Sequence, residues 1–374
     1  MRAGAFLVLV LSVVVAVAAP LAGLAFSGRA IAPFLDFPPR TEFVPHAPFS
    51  WSVFLVLCIP ALGAVAVYAM AMKRARHVPA ALRMQAFPWW GWLGAALVAA
   101  GWLLAWGALD VSPQWRRHTF TPLWLGYILV MNGLTMRGSG RSPMTHRTTW
   151  FLCLFPTSAV FWWVFEYLNR FVDNWYYSGI EATGDWDYFF QATLPFSSVL
   201  PAIASTWAWS RTFPRIEAMS LPAIRGQAAF AWLALAAGAL ALLGIGVWPD
   251  ALFSMLWLAP LLLAAGLQQV LIGETLFTPL QRADWRPVLQ PAFAALVCGF
   301  FWEMWNYGSL AKWHYSIPYA QRFPLFEMPL LGYAGYLPFG VHCAVLMDLV
   351  ARAVGGHPLW PLDASGGKPS VSRR

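Results

Sequence analysis

The sequence predicts an all-α, polytopic membrane protein, and three observations carry that prediction. Hydrophobic residues make up 59% of the chain and charged residues only 11%, where a soluble domain carries about a quarter charged residues. Apolar runs of the length needed to cross a bilayer, about 20 residues, recur from one terminus to the other. Tryptophan is present in 23 copies, and many stand where an apolar run meets a polar loop, as an interfacial aromatic belt requires.

Ten runs qualify as spans: residues 4–26, 49–71, 87–109, 119–136, 149–169, 191–210, 228–247, 251–273, 288–306 and 331–351. The first has features of a secretory signal, with Arg2 before the apolar run and small residues at Ala18–Ala19. Its apolar stretch exceeds the usual core of about 7–15 residues, which favours a retained helix. Orientation follows from Lys and Arg, which concentrate on the cytoplasmic side of a membrane. With the N-terminus inside, the outer segments hold Arg29, Arg40, Arg116, Arg117, Arg170, Lys312 and Arg322, and the other 17 of the 24 basic residues are inside. Both termini are then cytoplasmic, and a bacterial inner membrane is the default location for such a helical protein. The net charge of +8 is accordingly a topology signal, and a nucleic-acid partner has no support. The four cysteines (Cys58, Cys153, Cys298, Cys343) all lie in apolar runs without CxxC spacing. They read as buried thiols and not as a disulfide or metal framework.

The chain is organised around residues 161–177, where Glu166 and Asn169 close an apolar run and Trp175 and Tyr177 follow at once. The pattern returns as Glu303, Asn306, Trp313 and Tyr315, at offsets of 137 for the polar pair and 138 for the aromatic pair. Leu123-Trp124-Leu125 matches Leu256-Trp257-Leu258 at 133, and Leu194-Pro195-Phe196 matches Leu337-Pro338-Phe339 at 143. The expected organisation is two N-terminal helices (1–78), two parallel four-helix repeats (87–211 and 228–352) and a disordered cytoplasmic tail (353–374). Two long aromatic loops, about 170–190 and 307–330, are expected to fold over the outer face.

Glu166, Asn169 and Asp173 stand at i, i+3 and i+7 and share one face if the helix continues that far. Both glutamates lie near the C-terminal ends of their spans, where the helix dipole and the hydrocarbon each disfavour the charged form. A neutral carboxyl at that depth is a proton donor for an apolar substrate, with Trp and Tyr faces to stabilise a developing cation. The alternative is a structural brace, with Glu and Asn hydrogen-bonding a loop or a neighbouring helix. His314, inside Trp-His-Tyr, and His342 are further acid–base or ligand candidates, against the plainer reading of packed or interfacial histidines. Asn169, Asp173, Glu181, Asp185 and Asp187 together admit a Mg²⁺–diphosphate reading, but no such spacing recurs in the second unit. Arg170, Lys312 and Arg322 suit lipid phosphates or simple interfacial anchoring. No phosphate-binding Gly-rich loop, HExxH or nucleophile elbow occurs, and no cofactor or metal is expected.

In the order of these residues the chain resembles the membrane lycopene cyclases of the small-subunit (C/D) type, in two tandem copies. Phe165-Glu166, Trp175–Tyr177 and Leu194-Pro195 carry the resemblance in one unit; Trp302-Glu303, Trp313–Tyr315 and Leu337-Pro338 carry it in the other. The family's paired glutamates after Leu-Pro-x are replaced here by Ser197-Ser198 and Gly340-Val341. The resemblance implies an isoprenoid- or lipid-modifying enzyme with a lipid or isoprenoid ligand. Of the family's residues only the Glu166 and Glu303 positions carry over, as the acids. From the recurrence of the motif itself, Asn169 and Asn306 are expected to orient them, and Trp175, Tyr177, Trp313, Tyr315 and His314 to contact substrate. A non-catalytic transporter or lipid-binding protein is the alternative.

Overall fold

A computed structural model describes residues 1–75 and 84–360. Helices dominate: α1 (Arg2–Phe26), α2 (Trp51–Arg74), α3 (Trp89–Ala105), α4 (Phe120–Ser139), α5 (Thr148–Val172), α6 (Asp185–Phe196), α7 (Val199–Ser210), α8 (Gln227–Ile245), α9 (Met255–Ile272), α10 (Arg286–Gly308) and α11 (Tyr336–Gly355). Among the described residues, 7 helical segments are long and apolar enough to cross a membrane: α1, α2, α5, α8, α9, α10, and α11 extended back to Leu330.

Three of the ten expected spans fall outside that set. Helix α3 is apolar but has only 17 residues. Helix α4 has 20 residues but carries Asn132, Thr135 and Arg137 in its second half. The run at 191–210 is not one helix. It breaks at Ser197–Ser198 into α6 and α7, of 12 residues each, and a helix of that length rises only about 18 Å. A break inside an apolar bundle frees backbone groups that need partners. Ser158 of α5 supplies them: its hydroxyl donates to the Phe196 carbonyl at 2.6 Å and accepts from the Leu200 amide at 3.1 Å.

The helices pack as two similar sets. Helix α3 lies along α4 as α8 lies along α9, and α5 meets α7 as α10 meets α11. The sets interlock through α10 on α7 and α11 on α5, while α1 packs against α8, α9 and α11. Helices α4 and α9 end alike, with Gly140 (φ 75°) and Gly273 (φ 77°) as left-handed caps whose amides reach Met136 and Gln269. A residue with a Cβ is strained at such a cap. Between α1 and α2 the chain runs as a strap across the end of the bundle. Arg170 donates to the carbonyls of Pro33 and Asp36, Ser316 to Val44, and Thr41 to Trp175.

The opposite end of the bundle is closed by charge. Asp348 and Arg352, both 1% exposed, are paired at 2.7 Å, and Arg352 also reaches Glu274 at 3.2 Å. Gln268 donates to Asp348 at 2.6 Å. Arg286 joins Asp284 and Glu217. The tail expected to be disordered from 353 begins differently. Residues to Gly355 continue α11, Leu359 is fully buried with its amide on Asp348, and Trp360 stacks on Trp207 at 5.9 Å while donating to Asp284. Two apolar side chains in an otherwise polar segment dock onto an apolar ledge, which Gly and Ser composition does not reveal. Residues 361–374 lie outside the described residues, as do Arg76 and Arg83.

Replacing the Ser158 hydroxyl tests the helix break. Ser158→Ala leaves a buried carbonyl and amide unpartnered, a loss of about 1–3 kcal/mol. The expected outcome is a lower unfolding temperature for the purified protein in detergent. An unchanged temperature would mean that the break is satisfied by other groups.

Candidate functional site

Each of the two acids is a buried acceptor. Glu166 is 1% exposed and Glu303 is 0% exposed, so each carboxyl needs hydrogen bonds to be tolerated. Glu166 Oε1 accepts from Tyr177 Oη at 2.5 Å, Trp162 Nε1 at 2.8 Å and Trp175 Nε1 at 3.2 Å. Glu303 Oε1 accepts from Tyr315 Oη and Tyr336 Oη, both at 2.7 Å. Trp313 Nε1 donates to Tyr315 Oη at 3.0 Å and so backs that phenol. Glu303 Oε2 is buried with no hydrogen-bond partner among the described residues.

Four of the aromatic residues sit on strands. β1 (Trp175–Ser178) and β2 (Lys312–Tyr315) pair antiparallel, with Trp175 opposite Tyr315 and Tyr177 opposite Trp313. Side chains alternate across a ribbon, so these four share the face turned toward the acids. Burial and the neighbouring glutamate push the Tyr177 and Tyr315 phenols well above their ordinary range. Both therefore stay protonated and act as donors.

The asparagines do something other than orient the acids. Asn169 Nδ2 donates to the Trp175 carbonyl at 2.7 Å, and its Oδ1 accepts from the amides of Asn174 and Trp175. Asn306 closes the same ring on Trp313, donating to its carbonyl at 2.8 Å and accepting from its amide at 2.9 Å. Each asparagine clamps the backbone of the residue that begins its aromatic pair. They are positioning residues, one step removed from the carboxyls. His314 departs from its expected place as well. It lies on the opposite face of the ribbon, stacked on Tyr176 at 5.3 Å, with Nε2 2.9 Å from Ser178 Oγ.

In front of the acids is a cavity of about 560 Å³, lined by Trp162, Trp175, Tyr177, Trp257, Trp302, Trp313, Tyr315 and Tyr336 among others. Its rim carries Arg117, His118, Glu181, Gln191 and Lys312, and one side is formed by α2. The glutamates stand behind this wall and do not themselves line it; their donors do. Trp257 stacks on Trp175 at 5.6 Å and on Phe165 at 5.2 Å, while Trp124 meets Trp302 at 4.8 Å. Trp162, Trp257, Trp302 and Tyr336 escape the sequence reading as wall residues. Trp162 precedes Glu166 by one helical turn, and Tyr336 immediately precedes Leu337-Pro338, so both carry a signal that spacing could have exposed.

The remaining candidates separate. Helix α5 ends at Val172, and Asp173 caps it in the left-handed region (φ 45°), so it leaves the face shared by Glu166 and Asn169. Burial raises the Asp173 carboxyl to about 6, against the pull of His46, Arg170 and Arg29. Asp185 pairs with Arg40, Glu181 with Arg117, and Asp187 accepts from Thr183 and Gln191. Among the described residues no three His, Cys, Asp or Glu side chains gather as metal ligands. His342 is buried edge-on to Phe161 at 5.1 Å, with Nδ1 unpartnered. Comparison with protein families, curated proteins and solved structures finds no match for this chain.

The clamp predicts a local loss. In Asn306→Ala the Trp313 amide loses its acceptor, and its hydrogen exchange should quicken by an order of magnitude, with about 1–3 kcal/mol lost from stability. Protection equal to wild type would show that pairing with β1 alone holds the strand. Asp173 gives a pH signature. Its folded-state value of about 6 exceeds the usual carboxylate value of about 3.9, so its contribution is present below about pH 4 and lost as pH rises through about 6. Asp173→Asn, which suits the left-handed cap, should raise the unfolding temperature at about pH 7 and have little effect at about pH 4. Equal effects at both pH values would contradict this.

Proposed function

We propose that this chain is an integral membrane enzyme that modifies an isoprenoid or related lipid by acid chemistry, similar in kind to the carotenoid cyclases its sequence resembles. One observation carries the reading: two buried carboxyls each accept hydrogen bonds from phenols that form the wall of a single aromatic cavity. In this reading, with the glutamate neutral, Tyr177 or Tyr315 turns its hydroxyl proton from the carboxyl to an alkene carbon while its oxygen takes the proton of the glutamate behind it. The resulting cation is held by the faces of Trp175, Trp257, Trp302 and Trp313. Loss of a neighbouring proton back to the same relay completes an isomerisation, with no oxidant or reductant consumed. The asparagines keep the ribbon in register.

We further infer an internal duplication giving ten crossings, with α3, α4 and the broken α6–α7 pair completing the set and both termini in the cytoplasm of a bacterial inner membrane. Matching clamps at Asn169 and Asn306 support it, as do the matching caps at Gly140 and Gly273. The contact of Trp257 with Phe165 is echoed by that of Trp124 with Trp302, both pairs being related by the offsets of the repeat. The basic excess on the inner segments supports the orientation.

A second reading has its own observation. Because the glutamates stand behind the wall, a lipid-binding or transport protein with no chemistry also accounts for the cavity. Lipid profiling separates the two. Cells lacking the gene, or carrying Glu166→Gln or Glu303→Gln, are expected to accumulate the unmodified lipid and to make its product roughly a hundredfold less, within the range for loss of a general acid. A profile that is the same in all strains defeats the enzyme reading and leaves the binding one.

A further inference from the structure

Helix α2 forms one wall of the cavity, yet it barely belongs to the bundle. Among its described residues only Phe54 and Ala71 are buried. Its anchors are at its two ends. At the strap end Ser50 N donates to the Tyr319 carbonyl at 3.0 Å, and Phe54 meets Phe49 and Phe323. At the other end Tyr68 Oη donates to the Leu289 carbonyl at 2.6 Å, and Ala71 packs with Met219, Leu221 and Leu289. Between the anchors, Leu57, Pro60, Ala61 and Ala64 face the cavity at i, i+3, i+4 and i+7. The other side of the same stretch, including Val56, Ile59, Leu62 and Val65, is more than half exposed. The wall is therefore one helix thick, and apolar on both surfaces.

That stretch is also thin and soft. Two of the four cavity-facing residues are alanines, and a side chain added at Gly63 would meet nothing within 4 Å. Pro60 removes one helical hydrogen bond in the middle of the unsupported segment, the usual cause of a local bend. The polar alternative entrance, past Arg117, His118, Glu181 and Lys312, would require a hydrocarbon chain to cross a charged rim.

Resting on the lipid-binding half of the reading above, we propose that the middle of α2 is a lateral portal through which the hydrocarbon tail of an isoprenoid lipid passes between the bilayer and the aromatic cavity. The tail lies across Ala61 and Ala64, and the reactive or polar end reaches the tryptophan wall. Tyr68 sets how readily α2 moves, because its hydroxyl pins the far anchor.

Photolabelling of the full chain in lipid nanodiscs tests this, with a diazirine-bearing geranylgeraniol as probe and peptide mapping of the adducts. The wild type should carry adducts on peptides containing Trp257 and Trp302. Ala61→Trp should lower the initial rate of that labelling by an order of magnitude, because the indole fills the opening. Tyr68→Phe should raise the rate severalfold, and it keeps the test decisive if Ala61→Trp does not fold. Wild-type rates in either variant, or adducts only on the lipid-facing surface, overturn the portal. The same rates measured in Glu166→Gln/Glu303→Gln keep the two ideas apart. Uptake that survives in that variant, in cells whose lipid profile never changes, removes the chemistry and leaves the portal. Lipid conversion that continues with a blocked α2 removes the portal alone.

Discussion

A carboxyl group inside an apolar bundle must be hydrogen-bonded, and this structure depends on how two of them are satisfied. Among the described residues, neither Glu166 nor Glu303 is met by a cation. Each is met by neutral aromatic donors, chiefly from a short strand that follows its own helix. Because β1 and β2 pair with each other, satisfying one acid fixes the register of the strand that serves the other. The asparagines one turn further along α5 and α10 hold the strands at Trp175 and Trp313. Carboxyl, asparagine, strand and cavity wall form one mechanical unit that joins the two sets of helices. Removing either asparagine leaves a strand carbonyl without its side-chain donor.

The same requirement explains features that hydropathy alone does not. The break between α6 and α7 is tolerated because Ser158 caps both sides of it. At the far end Asp348 is satisfied on three sides, by Gln268, Arg352 and the Leu359 amide. That last bond draws the chain beyond α11 back onto the bundle and seats Trp360 over Trp207. Buried pairs of this kind contribute less to stability than their count suggests. Their effect is to fix position: they decide which backbone segments lie where.

Much of this is legible in the sequence. The recurrence of Glu-x-x-Asn with Trp and Tyr identifies the two helices and the aromatic segments after them that meet at the cavity, and composition points to a bilayer as their setting. That those segments pair as strands is not legible, since an all-α chain with aromatic loops is what the sequence predicts. The departures have physical causes. His314 groups with Trp313 and Tyr315 in the sequence because adjacent residues look alike there, whereas a strand sends them to opposite faces. Asp173 falls on a helical face by spacing alone, and spacing does not reveal where a helix stops. The run at 191–210 reads as one span because a serine pair scarcely lowers mean hydropathy, although Pro195 and Pro201 flank it. The role of α2 is invisible, since nothing in an isolated apolar run says whether its inner face meets protein or open space.

The two acids are not equivalent, and the difference follows from what stands one helical turn before each. Glu166 draws on Trp162 from its own helix and on both aromatic residues of β1. The residue 137 positions after Trp162 is Gly299, so Glu303 has no side chain one turn before it where Glu166 has an indole. A Cβ at Gly299 would collide with the Tyr336 ring of α11; that ring occupies the space the glycine leaves and delivers its hydroxyl to Glu303. The exchange replaces an N–H donor with an O–H donor, and of the two only the phenol can both give and accept a proton. Trp313, meanwhile, donates to Tyr315, which in turn donates to Glu303. Glu303 is thereby left between two phenols with Oε2 unpartnered, while Glu166 has one phenol and two indoles. On the proposed reading Glu303, held by two phenols, has two routes by which a proton can reach the cavity wall, and Glu166, held by one phenol and two indoles, has one.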